Sequence, residues 1–108
     1  MYLLVFYVPQ THTNALIEAL ADAGAGHIGD YDSCAWSVLG QGQFRPLAGA
    51  NPTLGSAGEL EHVAEHRVEM VVESDRIKDV LSALVTAHPY EEPAHHVVEV
   101  MDRRDFLS

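Results

Sequence analysis

Two prolines, Pro89 and Pro93, constrain this chain more than any other feature. They bracket Tyr90, Glu91 and Glu92, with His88 at the entrance. A proline has no N–H to give and pushes the residue before it out of helical geometry. An apolar-periodic helix that reaches His88 must therefore stop there. Glu92 is pushed into extended backbone in the same way, which starts a final strand. The result is a stiff bend that presents His88, Tyr90, Glu91 and Glu92 at one end of a sheet. Such a bend can hold a ligand, or it can be a rigid turn at a subunit contact.

The rest of the chain organises around that bend. Tyr2–Val8 is continuously apolar and ends at Pro9. It reads as a central strand buried on both faces. Thr11 is a credible N-cap for a helix to about Ala23, with Leu16, Leu20 and Ala23 facing inward and Ala15 and Ala19 allowing close approach to a sheet. Gly24 and Gly26 end that helix, since glycine tolerates positive φ. Cys34 to Leu39 alternates as a strand, with Cys34 and Trp36 expected in the core. Gly40-Gln41-Gly42 signals a turn, and Gln43-Phe44-Arg45 a returning strand. Pro46 to Gly58 reads as a long surface loop, with a possible extra strand piece around it. A period of two returns from Leu60 to Val72. Ser74 can cap a second helix whose stripe is Ile77, Val80, Leu81, Leu84 and Val85. Ala94–Val100 is the last strand, and Asp102–Ser108 a polar tail.

The order is β-α-β-β-α-β in one domain of 108 residues. It fits an α+β, ferredoxin-like sandwich: an antiparallel sheet with both helices on one face. Acidic residues outnumber Lys and Arg by 16 to 6, for a formal charge of −10. Nucleic-acid binding rests on Lys and Arg neutralising phosphates, so that class of partner is not expected. Cys34 is the one cysteine, which rules out an intrachain disulfide and a Cys-x-x-Cys motif. A reducing cytoplasm is the expected location. Tyr2–Val8 is too short to span a bilayer and has no basic flank, so neither membrane anchor nor signal peptide is expected.

Several stretches together carry a family likeness. Ala23-Gly24-Ala25-Gly26-His27-Ile28-Gly29-Asp30-Tyr31 is followed by Gly42-Gln43-Phe44-Arg45-Pro46-Leu47 and Gly49-Ala50-Asn51-Pro52, and the chain closes on Ala87–Ala94. This set resembles the small PII/CutA-like domain inserted in the middle of YqfO-type, or Nif-three-like, proteins, and covers nearly the whole chain. His-Pro-Tyr-Glu, one residue, then Pro before the last strand also resembles the CutA family. The resemblance implies a trimer-forming βαββαβ domain, and hence a homotrimer. It does not imply the di-metal site of the Nif-three-like family, which sits in flanking domains whose segments this chain lacks. No catalytic residue carries over. The nucleotide-binding motifs of PII proteins are not recognisable.

Candidate site residues fall into three sets. His27, His88, Glu91 and Glu92 would suit zinc, nickel or copper if the end of the first helix met the proline bend. The same side chains have a structural use: His88 against free helix carbonyls, His27 in a glycine-rich turn. Phe44, Arg45 and Tyr90 form the second set. Arg45 beside an apolar pair at the root of the loop could meet an anionic ligand, or an acidic residue of a neighbouring subunit. The third set, His62, His66, His95 and His96, is poorly placed for metal. His62 and His66 lie roughly 13 Å apart on a strand, and His95 and His96 point to opposite faces. Gly24-x-Gly26-x-x-Gly29 matches a dinucleotide fingerprint but follows a helix, where the fingerprint needs a strand-to-helix turn. No catalytic constellation emerges. The expected function is a non-enzymatic oligomeric module with a regulatory or small-ligand-sensing role. The alternatives are a CutA-type divalent-metal protein holding zinc or copper, and a purely structural assembly module.

Overall fold

A computed structural model describes Met1–Leu107; Ser108, the end of the expected polar tail, lies outside the described residues. The elements are β1 (Tyr2–Pro9), α1 (Thr13–Asp22), β2 (Trp36–Phe44), β3 (Glu61–Val72), α2 (Ile77–Ala87) and β4 (His95–Glu99), followed by a single 3-10 turn at Arg103–Asp105. The sheet order is β2-β3-β1-β4. Every neighbouring pair is antiparallel. This is the ferredoxin-like α+β plan.

Register explains the core. Leu4, Phe6 and Val8 alternate to one face of β1, and their β3 partners Met70, Val68 and His66 share it. Leu16 and Leu20 of α1 and Val80 and Leu84 of α2 close over that face, all essentially inaccessible to water. Burying such a side chain contributes roughly 1.5–3 kcal/mol, so this layer supplies most of the driving force. β1 is central, as its apolar run suggests. Its other face holds a buried Val5 but half-buried Leu3 and Tyr7.

Several local expectations are corrected. The α1 N-cap is His12, which makes no side-chain cap bond. Thr11 instead bonds the His12 ring at 2.8 Å. Arg76, not Ser74, precedes α2, and the Ser74 hydroxyl accepts from the chain's N-terminus. Val85 is 61% exposed, because Val80 and Leu84 already fill the stripe that meets the sheet. Trp36 is 59% exposed, because β2 is an edge strand beyond the cover of the helices. Cys34 is only half-buried and precedes that strand.

The largest difference is β2 itself. Gly40-Gln41-Gly42 is no turn; the strand runs straight through it and pairs with β3 as far as Phe44↔Glu61. The reason lies across the ladder. A Cβ on Gly42 would collide with the carboxylate of Glu65. The glycine clears a path for a side chain on β3, which is a known use of glycine within strands. The connection between β2 and β3 is therefore residues 45–60, and no strand lies in it among the described residues.

Candidate functional site

β2 and β3 run on past the end of β1, where Pro9 pairs with Glu65. The projecting hairpin leaves a wall with no third strand beside it. The proline bend after α2 docks against this wall. Helix α2 ends as Pro89 dictates: His88 is extended, with φ −70 and ψ 136.

His88 is the brace of the bend. It is 6% exposed. Its Nε2 lies 2.7 Å from the Tyr7 carbonyl, and its Nδ1 accepts the Tyr90 N–H at 3.0 Å. A backbone N–H can only donate, so Nδ1 is the acceptor and Nε2 carries the hydrogen. His88 is thereby a neutral imidazole tying α2, β1 and the bend together. Burial pushes its pKa down. The Tyr7 carbonyl opposes that shift, and the charges of His95 and His12 add to it.

A pH prediction follows. With the folded pKa below the ordinary 6.5, the unfolded chain takes up the proton first. The stability from His88 is complete above 6.5 and is lost as pH falls from there through the folded value. Urea midpoints of the parent should decline on acidification below 6.5, and His88→Gln should flatten that decline. An unchanged slope would remove His88 as its source.

Beyond His88 the rings continue. Tyr90 packs against His88 at 5.2 Å between centroids and against Phe44 of β2 at 5.8 Å. The connection 45–60 folds back onto the bend. The Asn51 N–H reaches Glu91 Oε1 at 3.2 Å, and the Thr53 hydroxyl donates to the Pro89 carbonyl at 2.7 Å. Between hairpin, connection and bend lies a pocket of about 380 Å³. Its walls are mainly apolar: Phe44, Pro46, Leu47, Pro52, Leu54 and Ala94. Arg45, Glu65, Glu91 and Glu92 supply the charged groups, and Tyr7, Gln43, Thr53 and Tyr90 neutral polar ones. By register, Tyr7, Glu65 and Phe44 share the sheet face turned away from the helices.

Two polar groups in this pocket are imperfectly served. The Tyr90 hydroxyl is buried without a well-formed hydrogen bond. Its burial and the neighbouring Glu65 carboxylate push the phenol up to about 12. Burial also raises the Glu65 pKa, with the Tyr90 hydroxyl acting against it. The two groups act on each other at close range, but the Tyr90 hydroxyl makes no well-formed hydrogen bond. Arg45 makes no ion pair or side-chain hydrogen bond among the described residues.

The sequence's second set therefore assembles: Phe44, Arg45 and Tyr90 line one pocket. The metal set does not. Gly26, next to His27, bonds Val71, which pairs with Leu3, whereas His88 is bonded to Tyr7. Those anchor points are four residues apart along β1, roughly 13 Å. Both ring nitrogens of His88 are engaged within the fold. Glu91 spends one oxygen on Asn51, and Glu92 is exposed. Among the described residues no group of three or more His, Cys, Asp or Glu side chains is placed to hold an ion. Sequence reasoning overlooked Glu65 and Thr53. The signal for Glu65 was Gly42, since a glycine within a strand marks a crossing side chain as readily as a turn.

No protein-family model matches the chain. Curated relatives do. It is 55% identical over 93 residues to the GTP cyclohydrolase 1 type 2 homolog of Mycobacterium leprae, covering 86% of this chain and 24% of that protein. The homolog from Halalkalibacterium halodurans is 42% identical over 108 residues, covering 100% of this chain and 29% of that one. The chain thus spans about a quarter of the length of the curated relatives it matches. Among solved structures, a Bacillus cereus protein related to NIF3 superposes with a TM-score of 0.80 at 42% identity, over 94% of this chain and 26% of that one. The PII-like protein CutA from Nostoc superposes with a TM-score of 0.68 over 99% of this chain and 86% of that one; at 19% identity it shows the fold alone. The chain is homologous to one segment of the Nif-three-like proteins, and its fold is PII/CutA-like.

Proposed function

We propose that this domain is a non-enzymatic, oligomeric PII/CutA-like module that senses a small ligand. The observation that carries the reading is the pocket of about 380 Å³, within the size range of small-molecule sites and apolar with a few polar groups. Its walls come from three separate parts of the chain. Ligand occupancy would thus be felt by the hairpin, by the connection 45–60 and by the bend at once. The curated relatives' names speak of a cyclohydrolase homolog, but the match covers about a quarter of those proteins. A cytoplasmic setting goes with this reading. No helix among the described residues is long and apolar enough to cross a membrane.

A metabolite library screened by thermal shift tests it. Compounds that raise Tm in the parent should fail with Phe44→Ala, which removes one wall. A library without a single Phe44-dependent hit would overturn the sensing role.

The oligomer is a separate expectation. The edge strands β2 and β4 carry exposed Trp36, Val38, Leu39, Val97 and Val98. Open edges and apolar side chains of this kind call for cover by another chain. A homotrimer is expected at micromolar concentration. Light scattering that returns the mass of a monomer or a dimer would refute it.

A further inference from the structure

The charged groups of the pocket are of both signs. Arg45 supplies a guanidinium with no partner among the described residues. Glu65, Glu91 and Glu92 supply carboxylates in the same lining. The apolar wall of Phe44, Leu47 and Leu54 stands with them. We infer that the pocket takes a small zwitterion with an apolar body, the chemical class of the hydrophobic α-amino acids. The inference rests on the pocket being the ligand site proposed above.

The alternatives fit less well. A purely anionic ligand would face three carboxylates for one guanidinium, on a chain of net charge −10. A nucleotide phosphate would find neither a helix N-terminus nor a glycine-rich loop in the lining. A purely cationic ligand would leave the Arg45 guanidinium unused. A zinc or copper ion would find no His or Cys in the lining, and among the described residues no three carboxylates are placed to hold a harder ion.

A zwitterion answers each group. Its carboxylate can take the guanidinium in a paired, bidentate arrangement. Its ammonium can meet Glu65, whose carboxylate is partly withdrawn from water and has no cationic partner among the described residues. Glu91 has one oxygen occupied by the Asn51 N–H and the other free to accept. The Tyr90 hydroxyl marks the same spot as short of partners. Buried polar groups left unpaired are rare in native folds and ask for an explanation. A ligand ammonium that draws Glu65 into line would supply one.

The test uses the full chain and three probes that differ by one charge each: L-phenylalanine, 3-phenylpropionate and 2-phenylethylamine. Calorimetry should give L-phenylalanine at least about tenfold tighter binding than either analogue, since each removes a charge-assisted contact. Arg45→Gln should erase its advantage over 2-phenylethylamine. Glu65→Gln should erase its advantage over 3-phenylpropionate. Equal binding of all three probes, or a preference for the amine or the acid, overturns the inference while leaving the sensing role standing. No binding of any probe, alongside Phe44-dependent hits in the metabolite library, also overturns the inference alone. No binding in either experiment removes both.

Discussion

Replacing His88 by alanine is expected to destabilise the fold by about 2–4 kcal/mol, a loss comparable to truncating a core side chain. The ring is 6% exposed and makes two hydrogen bonds to backbone. Its loss leaves the Tyr7 carbonyl and the Tyr90 N–H without partners in a part-buried site, each costing roughly 1–3 kcal/mol where water cannot replace the ring. It also leaves a void against the Tyr90 ring, which rested on it at 5.2 Å. The effect should reach the pocket, because Tyr90 would then be free to drift from Phe44. His88→Gln retains a donor and an acceptor and should recover part of the loss. Urea unfolding of the three proteins checks this. A change under 1 kcal/mol in His88→Ala would mean that the two prolines hold the bend unaided. Bound metal in the parent, lost with His88→Ala and unaccompanied by destabilisation, would restore the metal reading.

The bend shows what a sequence can and cannot tell. Pro89 stops α2 at His88 by a local steric rule, so that boundary was legible. The partners of His88 were not. Tyr7 lies 81 positions away, and nothing in the sequence around His88 points to it. The separation of His27 from His88 could have been read from topology alone. α1 returns along β1 and ends beside its first residues. α2 follows an antiparallel strand and ends beside the last ones. The condition for a metal set, that the end of the first helix meet the proline bend, is the one this directional rule denies.

The same contrast holds for the hairpin. Period-two alternation located β3 closely, because one of its faces meets the core and the other does not. β2 meets no core layer, and its alternation carried little information. Gly40 and Gly42 then read as a turn, whereas Gly42 leaves room for the Glu65 carboxylate reaching across from β3. The connection 45–60 reads as a surface loop because its residues have little to bury. Two long-range bonds tie it to the bend, Asn51 to Glu91 and Thr53 to Pro89. Phe44, Arg45 and Tyr90 were visible as unusual residues. Their convergence on one pocket was not, since it depends on how far β2 overruns β1.

Gly26→Ala should match or exceed the His88 effect, with a cost of about 2–5 kcal/mol. Gly26 sits at φ +78, a conformation that costs an L-residue roughly 1–2 kcal/mol. A Cβ there would lie 2.6 Å from the Cys34 carbonyl oxygen and 2.9 Å from its nitrogen. Both are backbone atoms and cannot swing aside. Overpacking of this kind adds typically 1–3 kcal/mol. The clash also attacks what Gly26 holds: its N–H bonds Val71 at 2.8 Å, and its carbonyl accepts the Cys34 N–H at 2.9 Å. These bonds fasten the segment between α1 and β2 to the sheet. Gly29 is the internal control. It has φ +57, but a Cβ there would meet nothing within 4 Å. Gly29→Ala should therefore cost only the conformational part, about 1–2 kcal/mol. Chemical denaturation of both variants separates the two contributions. Equal losses would show that φ alone decides at these glycines and that the Cys34 backbone can yield. A larger loss at Gly26 would place the close approach to Cys34 among the contacts that fix where β2 begins.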